Sequence, residues 1–170
     1  MTVEEFEEFY AHAVRRLIGQ LFLVTGDLRE AEDVVQEAFV RAWGARRKLD
    51  REGSPEAWVR LTATRLAISR WRRRTRSVEA WLRVGSSLSS AATAASEPGP
   101  DAVAVARALR SLPARRRLAV VLFYVCDLPV EQVAAEAGMS AGTVKTHLSR
   151  GRRALAPLLD DSLEPEEHDV

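Results

Sequence analysis

Residues 130–149 read VEQVAAEAGMSAGTVKTHLS, and this stretch decides the fold of the second half of the chain. Ala134, Gly138 and Val144 have the spacing of a helix-turn-helix. A small side chain lets two helices cross closely, and glycine readily adopts the positive φ of a tight turn. Ser140 is a candidate N-cap of the second helix. The stretch therefore predicts two short helices, the second of which packs back on the first through Val144.

The second of these helices is predicted to bury one stripe and to expose the opposite face. Val144, Leu148 and Leu155 recur at helical spacing and form the inward stripe. In a recognition helix, N-terminal residues reach base edges in the major groove, and cations further along suit phosphates. An ordinary helical hairpin with a solvated basic face is the alternative. The candidate DNA-binding residues are Ser140, Thr143, Lys145, Thr146, Ser149, Arg150 and Arg153.

Outward from this motif the pattern is helical throughout, so we expect an all-α fold of two small domains. Helices are predicted over about 3–24, 28–45 and 54–74 upstream, and over about 102–111, 113–126, 129–137 and 140–159 downstream. Gly26 is a candidate C-cap, whereas Asp27 and Ser54 are candidate N-caps. Residues 84–101 read VGSSLSSAATAASEPGPD, a composition typical of a flexible linker. The predicted domains are therefore 1–83 and 102–160, followed by an acidic tail over 161–170.

The net charge of +1 conceals segregated blocks of opposite sign. Residues 1–10 contain four Glu, and residues 157–170 contain six acids without Lys or Arg. Residues 57–76 contain seven Arg and no acid. These like charges repel each other, and a phosphate backbone would relieve the repulsion and release counterions. The arginine run thus indicates a polyanion-binding surface, with a solubilising helix end as the weaker alternative.

The apolar residues of the third helix predict which of its side chains face outward. The expected core-facing stripe comprises Ala57, Leu61, Thr64, Ile68 and Trp71. This orientation turns Arg70, Arg73 and Arg74 away from the core. Trp71 would pack, while Trp58 lies at the edge of the stripe, where stacking on a base is the competing interpretation. The candidate nucleic-acid residues of this helix are Trp58, Arg65, Arg70, Arg73 and Arg74.

The second helix carries an acidic face opposite its apolar stripe. Asp33 and Glu37 lie four residues apart, so their side chains are neighbours on the helix. Gln36 and Val40 complete the face. Such a surface would dock a basic protein partner, and a solvated face explains the same pattern equally well. A catalytic carboxylate pair is the poorer interpretation, because both groups would be exposed with no cleft around them.

The sequence contains few residues that would indicate an enzyme active site or a metal site. Cys126 is the one cysteine, so neither an internal disulfide nor a Cys-rich metal site can form, and it is expected to be a small buried hydrophobe. His147 is expected at the surface or near a phosphate. No nucleophile–base set and no phosphate-cradling Gly-rich loop is evident. We therefore expect no catalysis, no cofactor, no metal and no membrane insertion, in a reducing cytoplasm.

Four segments together resemble the extracytoplasmic-function sigma factors, and in particular their short actinobacterial members. Residues 29–43, REAEDVVQEAFVRAW, resemble region 2.2, and residues 57–74 resemble regions 2.3 and 2.4. Residues 109–113 and the apolar run after them resemble region 4.1, and the helix-turn-helix with residues 142–155 resembles region 4.2. Each motif alone is moderately specific, whereas the four in this order around a linker are strongly so.

This resemblance implies a role in transcription initiation. The face with Asp33, Gln36, Glu37 and Val40 would dock on the clamp helices of the β′ subunit of core RNA polymerase. The loop over 46–54 and the helix after it would engage and help to melt the minus-ten element, where a base is captured out of the stack. The second domain would read the double-stranded minus-thirty-five element, and its first helices would touch the β flap. An anti-sigma factor is a further partner that the resemblance admits.

Three other classes of protein stay open at this point. A stand-alone helix-turn-helix regulator would bind a palindrome as a stable dimer without polymerase, but it leaves the likeness to region 2.2 unexplained. An enzyme would show turnover independent of polymerase. A helical adapter would bind other proteins and never touch DNA.

Overall fold

The computed structural model describes residues 1–49, 53–82 and 100–160. Every regular element within them is helical, and the chain divides into two compact units, one within 1–95 and one within 96–170. The prediction of an all-α fold with two domains is confirmed. Residues 84–99 of the predicted linker and the predicted acidic tail over 161–170 lie outside the described residues. Residues 100–101, which we had assigned to the linker, begin the fourth helix instead.

The first unit consists of three helices: α1 (Val3–Thr25), α2 (Leu28–Leu49) and α3 (Pro55–Leu82). The helix α1 begins with a capping box between Thr2 and Glu5 and ends at Gly26, whose φ is 71°. The Asp27 carboxylate accepts the N–H of Glu30 at 3.1 Å, which makes Asp27 the N-cap of α2 as predicted.

Both α2 and α3 are longer than their sequence patterns predict. Residues 46–49, predicted as the start of a loop, form the last turn of α2, because Leu49 is buried at 2% exposure and holds this turn against the core. Ser54 accepts the N–H of Ala57 at 3.4 Å, as expected for an N-cap of α3. The helix α3 then continues to Leu82, eight residues beyond the predicted end at 74.

The core of the first unit lies where α1 packs on α2 and α2 packs on α3. Its fully buried side chains include Leu17, Leu21, Val34, Val35 and Val59. At one end of the α1–α2 contact, the Phe6 ring packs edge-on against Phe39 and Trp43. This packing fixes α2, so that the face opposite its apolar stripe points to solvent.

The second unit contains α4 (Pro100–Arg110), α5 (Ala114–Val120), α6 (Val130–Ala137) and α7 (Ala141–Asp160). The regular helix predicted over 113–126 is not found in full, because Val121–Val125 is π-helical and accommodates an extra residue per turn. Cys126 follows it and is only half-buried, which corrects the expectation of a fully buried thiol.

The helix-turn-helix adopts the predicted geometry. Gly138 has a φ of 65° and its N–H donates to the carbonyl oxygen of Ala134, which closes α6. Val144 is fully buried and Ala134 is 9% exposed, so α7 packs closely on α6. The roles predicted for these three residues are confirmed.

Candidate nucleic-acid interface and docking face

The outward face of α7 carries the polar side chains that are predicted from the sequence to bind DNA. Val144 and Leu148 are buried on the opposite side, which fixes the rotation of the helix. This arrangement leaves a polar face on the outer side of α7, and a major groove is wide enough to admit an α-helix. The nominated residues are all exposed: Ser140, Thr143, Lys145, Thr146, Ser149, Arg150 and Arg153.

Three hydroxyl groups at the start of α7 are partly engaged within the helix. Ser140 Oγ accepts the N–H of Thr143 at 3.1 Å and lies 2.8 Å from Thr143 Oγ1. Thr146 Oγ1 donates to the carbonyl oxygen of Gly142 at 3.1 Å. A hydroxyl that donates inward keeps its acceptor lone pairs for an outside donor. Thr146 is therefore arranged to accept a hydrogen bond from an exocyclic amino group of adenine or cytosine.

His147 lies half-buried in a cationic environment at the junction of α5 and α7. Burial lowers the pKa of His147, and the charges of Arg116, Arg115 and Arg150 lower it further. Its Nδ1 is buried and has no hydrogen-bond partner in the described part of the chain. The imidazole is therefore neutral near pH 7, and the surface around it attracts anions through its arginines.

Because the folded state holds His147 neutral, the stability of the second unit should depend on pH. The unfolded chain takes up a proton as the pH falls below about 6.5, while the folded chain resists protonation, so the free energy of unfolding should decrease in that range. Urea unfolding followed by circular dichroism between about pH 7 and pH 5 measures this effect. His147→Gln should flatten the dependence, whereas the exposed His12→Gln should preserve it. An unchanged slope in His147→Gln would contradict the role of burial.

The acidic face of α2 is exposed as predicted, although part of it is already paired. Val40 is 72% exposed and the Asp33 side chain is 67% exposed. Glu37 accepts from Arg41 at 2.6 Å and from Arg70 at 2.9 Å, and these hydrogen bonds lower the pKa of Glu37. The more exposed part of the face is therefore the side of Asp33, Gln36 and Val40, although Asp33 lies 3.9 Å from Arg70 Nη1.

The predicted rotation of α3 is wrong, because the buried face of this helix is displaced by about one residue from the predicted stripe. Of the five side chains assigned to it, only Thr64 is buried, while Ala57, Leu61 and Ile68 are half-buried and Trp71 is 38% exposed. The expectation that Trp71 packs in the core is therefore wrong. The side chains that α3 buries are Val59, Arg60, Ala63, Thr64 and Ala67.

This rotation turns two arginines of α3 toward α2, and their pairing with its acids is not predicted from the sequence. Arg70 Nη2 donates to Glu37 at 2.9 Å, and its Nη1 lies 3.9 Å from Asp33. Arg74 donates to both carboxylate oxygens of Glu30, at 2.7 and 2.6 Å. Glu30 has a side-chain exposure of 7%, so Arg74 pairs with a carboxylate that is almost fully buried. Arg70 and Arg74 therefore lie outside the core as expected, at 33% and 57% exposure, but both are paired with acids of α2.

Four of the other arginines of α3 are exposed, whereas Arg60 is buried. Arg65 and Arg73, both nominated from the sequence, are exposed, and Trp58 is half-buried. Arg72 and Arg76 are also exposed, although neither is among the residues predicted to bind nucleic acid. The signal that identifies the paired set is a complementary ladder: acids at 30, 33 and 37 match arginines at 70 and 74 in helical spacing.

Two helical units with these surfaces define a class of protein. One unit carries a helix-turn-helix with an exposed polar recognition helix, and the other carries an arginine-rich helix beside an acidic face. These surfaces are those expected of a two-domain DNA-binding protein. The matches to family models fall on the same two units: residues 9–77 match Sigma-70 region 2, and residues 102–155 match Sigma-70, region 4.

Individual relatives identify the family. The chain is 30% identical to the ECF RNA polymerase sigma factor SigW of Bacillus subtilis, over 82% of this chain and 81% of that protein. It is 34% identical to SigF of Caulobacter vibrioides, over 86% and 76%, and 33% identical to SigL of Mycobacterium tuberculosis, over 81% and 79%. The chain belongs to the extracytoplasmic-function sigma factors.

A solved structure shows the same fold. The sigma factor RpoE of Bartonella quintana, determined in complex with the anti-sigma factor NepR, aligns with a TM-score of 0.73 and 25% identity, over 96% of this chain and all of that chain. Among residues 1–49, 53–82 and 100–160, no helix combines the length and apolar character that a membrane crossing requires.

Proposed function

We propose that this chain binds core RNA polymerase and directs promoter recognition and transcription initiation. The observation that carries the proposal is that both sigma-70 regions are present in order, each on its own helical unit. The stand-alone regulator is not favoured, because it accounts for the helix-turn-helix but leaves the first unit without a role. The same assignment makes the chain a binding protein without catalysis, acting in the cytoplasm with the polymerase.

The polymerase contact is assigned to the exposed edge of α2. Val40 is a large apolar side chain that is 72% exposed, with Asp33 and Gln36 on the same face. A central apolar residue ringed by polar groups is a common arrangement at protein interfaces. Glu37 completes the predicted contact set, and its pairing with Arg41 and Arg70 means that a basic partner must share this carboxylate. We assign the clamp helices of β′ to this face.

Val40→Asp should weaken binding to core polymerase by about tenfold or more, equivalent to roughly 1.4 kcal/mol. The change places a charge in the centre of a desolvated contact, and since Val40 is exposed in the free chain it should leave folding unaffected. Fluorescence anisotropy of the labelled chain against core polymerase gives the affinity.

Val3→Asp is the matched control for this experiment. Val3 is 45% exposed and lies on α1, so the same substitution there changes charge and polarity outside the proposed face. Equal affinity of the Val40→Asp and Val3→Asp variants would remove the docking assignment. Loss of binding in both would show that added negative charge alone is responsible.

Recognition of the minus-thirty-five element is assigned to α7. Its exposed residues divide into groups near the N-terminus that suit base edges, such as Thr143 and Thr146, and cations further along that suit phosphates, such as Arg150 and Arg153. The first helices of the same unit are assigned to the β flap. We place this function in residues 102–160.

The minus-ten element is assigned to the first unit, within residues 1–83. Melted DNA offers unstacked bases and a charged backbone, which an aromatic ring such as Trp58 and exposed arginines such as Arg65 and Arg73 can bind together. Since RpoE is bound by the anti-sigma factor NepR in its structure, we also propose an anti-sigma protein as a regulator of this chain.

A further inference from the structure

The seven arginines of residues 57–76 separate into structurally different groups: Arg60 is buried, and Arg70 and Arg74 are paired within the bundle. Arg70 and Arg74 bridge α3 to the acids of α2, at donor–acceptor distances of 2.6–2.9 Å. Arg74 holds a carboxylate, that of Glu30, which is almost fully buried. The carboxylates of Glu37 and Glu30 offset the charges of Arg70 and Arg74. These two arginines should therefore attract a phosphate group less strongly than an unpaired arginine does.

A second group lies on the far side of the same helix. At 100° per residue, Arg65, Arg72 and Arg76 fall within about 40° of each other, and Arg74 falls about 180° from Arg65. All three side chains of this group are exposed. Trp58, one heptad before Arg65, lies on the same line at the start of the helix and is half-buried. We call this line, from Trp58 through Arg65 and Arg72 to Arg76, the outward stripe.

No side chain of an acid that the structure describes compensates the charges of the outward stripe. Between residues 55 and 77 the sequence contains a single acid, Glu56, and its carboxylate is paired with Arg16 of α1. No ion pair joins Arg65, Arg72 or Arg76 to an acidic side chain within the described ranges. Arg65 and Arg76 are eleven positions apart, or about 16 Å along the helix, which matches a run of several phosphates along one strand.

We propose that the phosphodiester backbone of DNA lies along the outward stripe, with Arg72 and Arg76 as binding residues, while Arg70 and Arg74 are positioning residues. This inference rests on the proposed function and refines its minus-ten site. It divides a run of arginines that the sequence presents as equivalent. The arginines of the stripe bind phosphates and so release the counterions of the DNA. Trp58, at the N-terminal end of the stripe, offers a ring on which a base can stack.

The test compares four Arg→Ala variants of the full chain. Each is titrated with a fluorescein-labelled single-stranded oligodeoxynucleotide, and separately with its duplex, over a series of KCl concentrations. Arg72→Ala and Arg76→Ala should each reduce the slope of log K against log[KCl] by about 0.7 for the single strand or about 0.9 for the duplex. If the slope decreases only in the titration with the single strand, the stripe binds single-stranded DNA, and if it decreases only with the duplex, the stripe binds duplex DNA.

The matched variants Arg70→Ala and Arg74→Ala remove the same charge from the opposite side. They should leave the salt slope close to that of the unaltered chain and should lower the thermal midpoint of the first unit, which Arg72→Ala and Arg76→Ala should not. Equal slopes for all four variants, or no DNA binding by the unaltered chain at the lowest salt, would overturn the proposal. Capture of the same preparations by core polymerase reports on the proposed function separately, because it does not require the stripe.

Discussion

Replacing Gly151 with alanine is expected to lower the free energy of unfolding of the second unit by about 1–3 kcal/mol. A Cβ at this position would lie 2.6 Å from Val120 Cγ2, and Arg116 Cγ would be 3.8 Å away. Both Gly151 and Val120 are buried where α7 crosses α5. The branched side chain of Val120 has little rotamer freedom, so relief requires the two helices to separate. Since α7 is the proposed recognition helix, promoter binding should weaken together with stability.

Gly142→Ala is the internal control for this prediction. It makes the same chemical change in the same helix, but the nearest atom to the added Cβ is Ser140 Oγ at 3.9 Å. Alanine is favoured over glycine in a helix by about 0.8–1.0 kcal/mol, so this variant should be as stable as the unaltered chain or more so. Urea unfolding by circular dichroism compares the two. A Gly151→Ala variant as stable as Gly142→Ala would show that the close crossing is not needed.

Arg74→Glu is expected to destabilise the first unit by about 3 kcal/mol, which is a large part of the stability of a small domain. Glu30 is buried and its carboxylate is held by two hydrogen bonds from Arg74. Reversing the charge removes this partner and sets a second carboxylate against the first. All four tryptophans lie within residues 1–95, so tryptophan fluorescence during urea unfolding reports on this unit.

The neighbouring Arg73→Glu variant separates the pairing from the change in net charge. Arg73 is exposed and forms no ion pair with a described acid, so its reversal should change stability by less than about 0.5 kcal/mol. Adding Glu30→Gln to Arg74→Glu should restore part of the lost stability, because the two like charges no longer meet. Equal losses in Arg73→Glu and Arg74→Glu would mean that general repulsion within the arginine run, and not the Glu30 pair, sets the stability of α3.

The local chemistry of the chain predicts where helices begin and turn. The caps at Gly26, Asp27, Ser54 and Gly138 are correct because each depends on a side chain or a φ angle within three residues of itself. The end of α2 is not predicted, because a tertiary contact extends this helix, and α3 also continues beyond its predicted end. Leu49 finds a buried site that its neighbours in sequence do not reveal.

The surfaces are predicted unevenly for the same reason. The outward face of α7 follows from the strong apolar period of Val144 and Leu148, and it is found as expected. In α3, an apolar period read without its neighbours gives the wrong rotation, because the helix buries the stem of Arg60 and pairs Arg74 with an acid 44 residues away. A charged side chain that faces inward is recognised only when the opposing helix is considered with it.

Run-off transcription with purified core RNA polymerase is the most direct test of the central claim. The full chain, core enzyme and a library of genomic promoter fragments are combined, and transcripts are compared with those made by core enzyme alone. We expect discrete RNAs that begin at defined start sites only when the chain is present, and their loss with Val40→Asp. Retention of DNA binding without capture by core enzyme, and without any new start site, would contradict the assignment of this chain as an initiation factor.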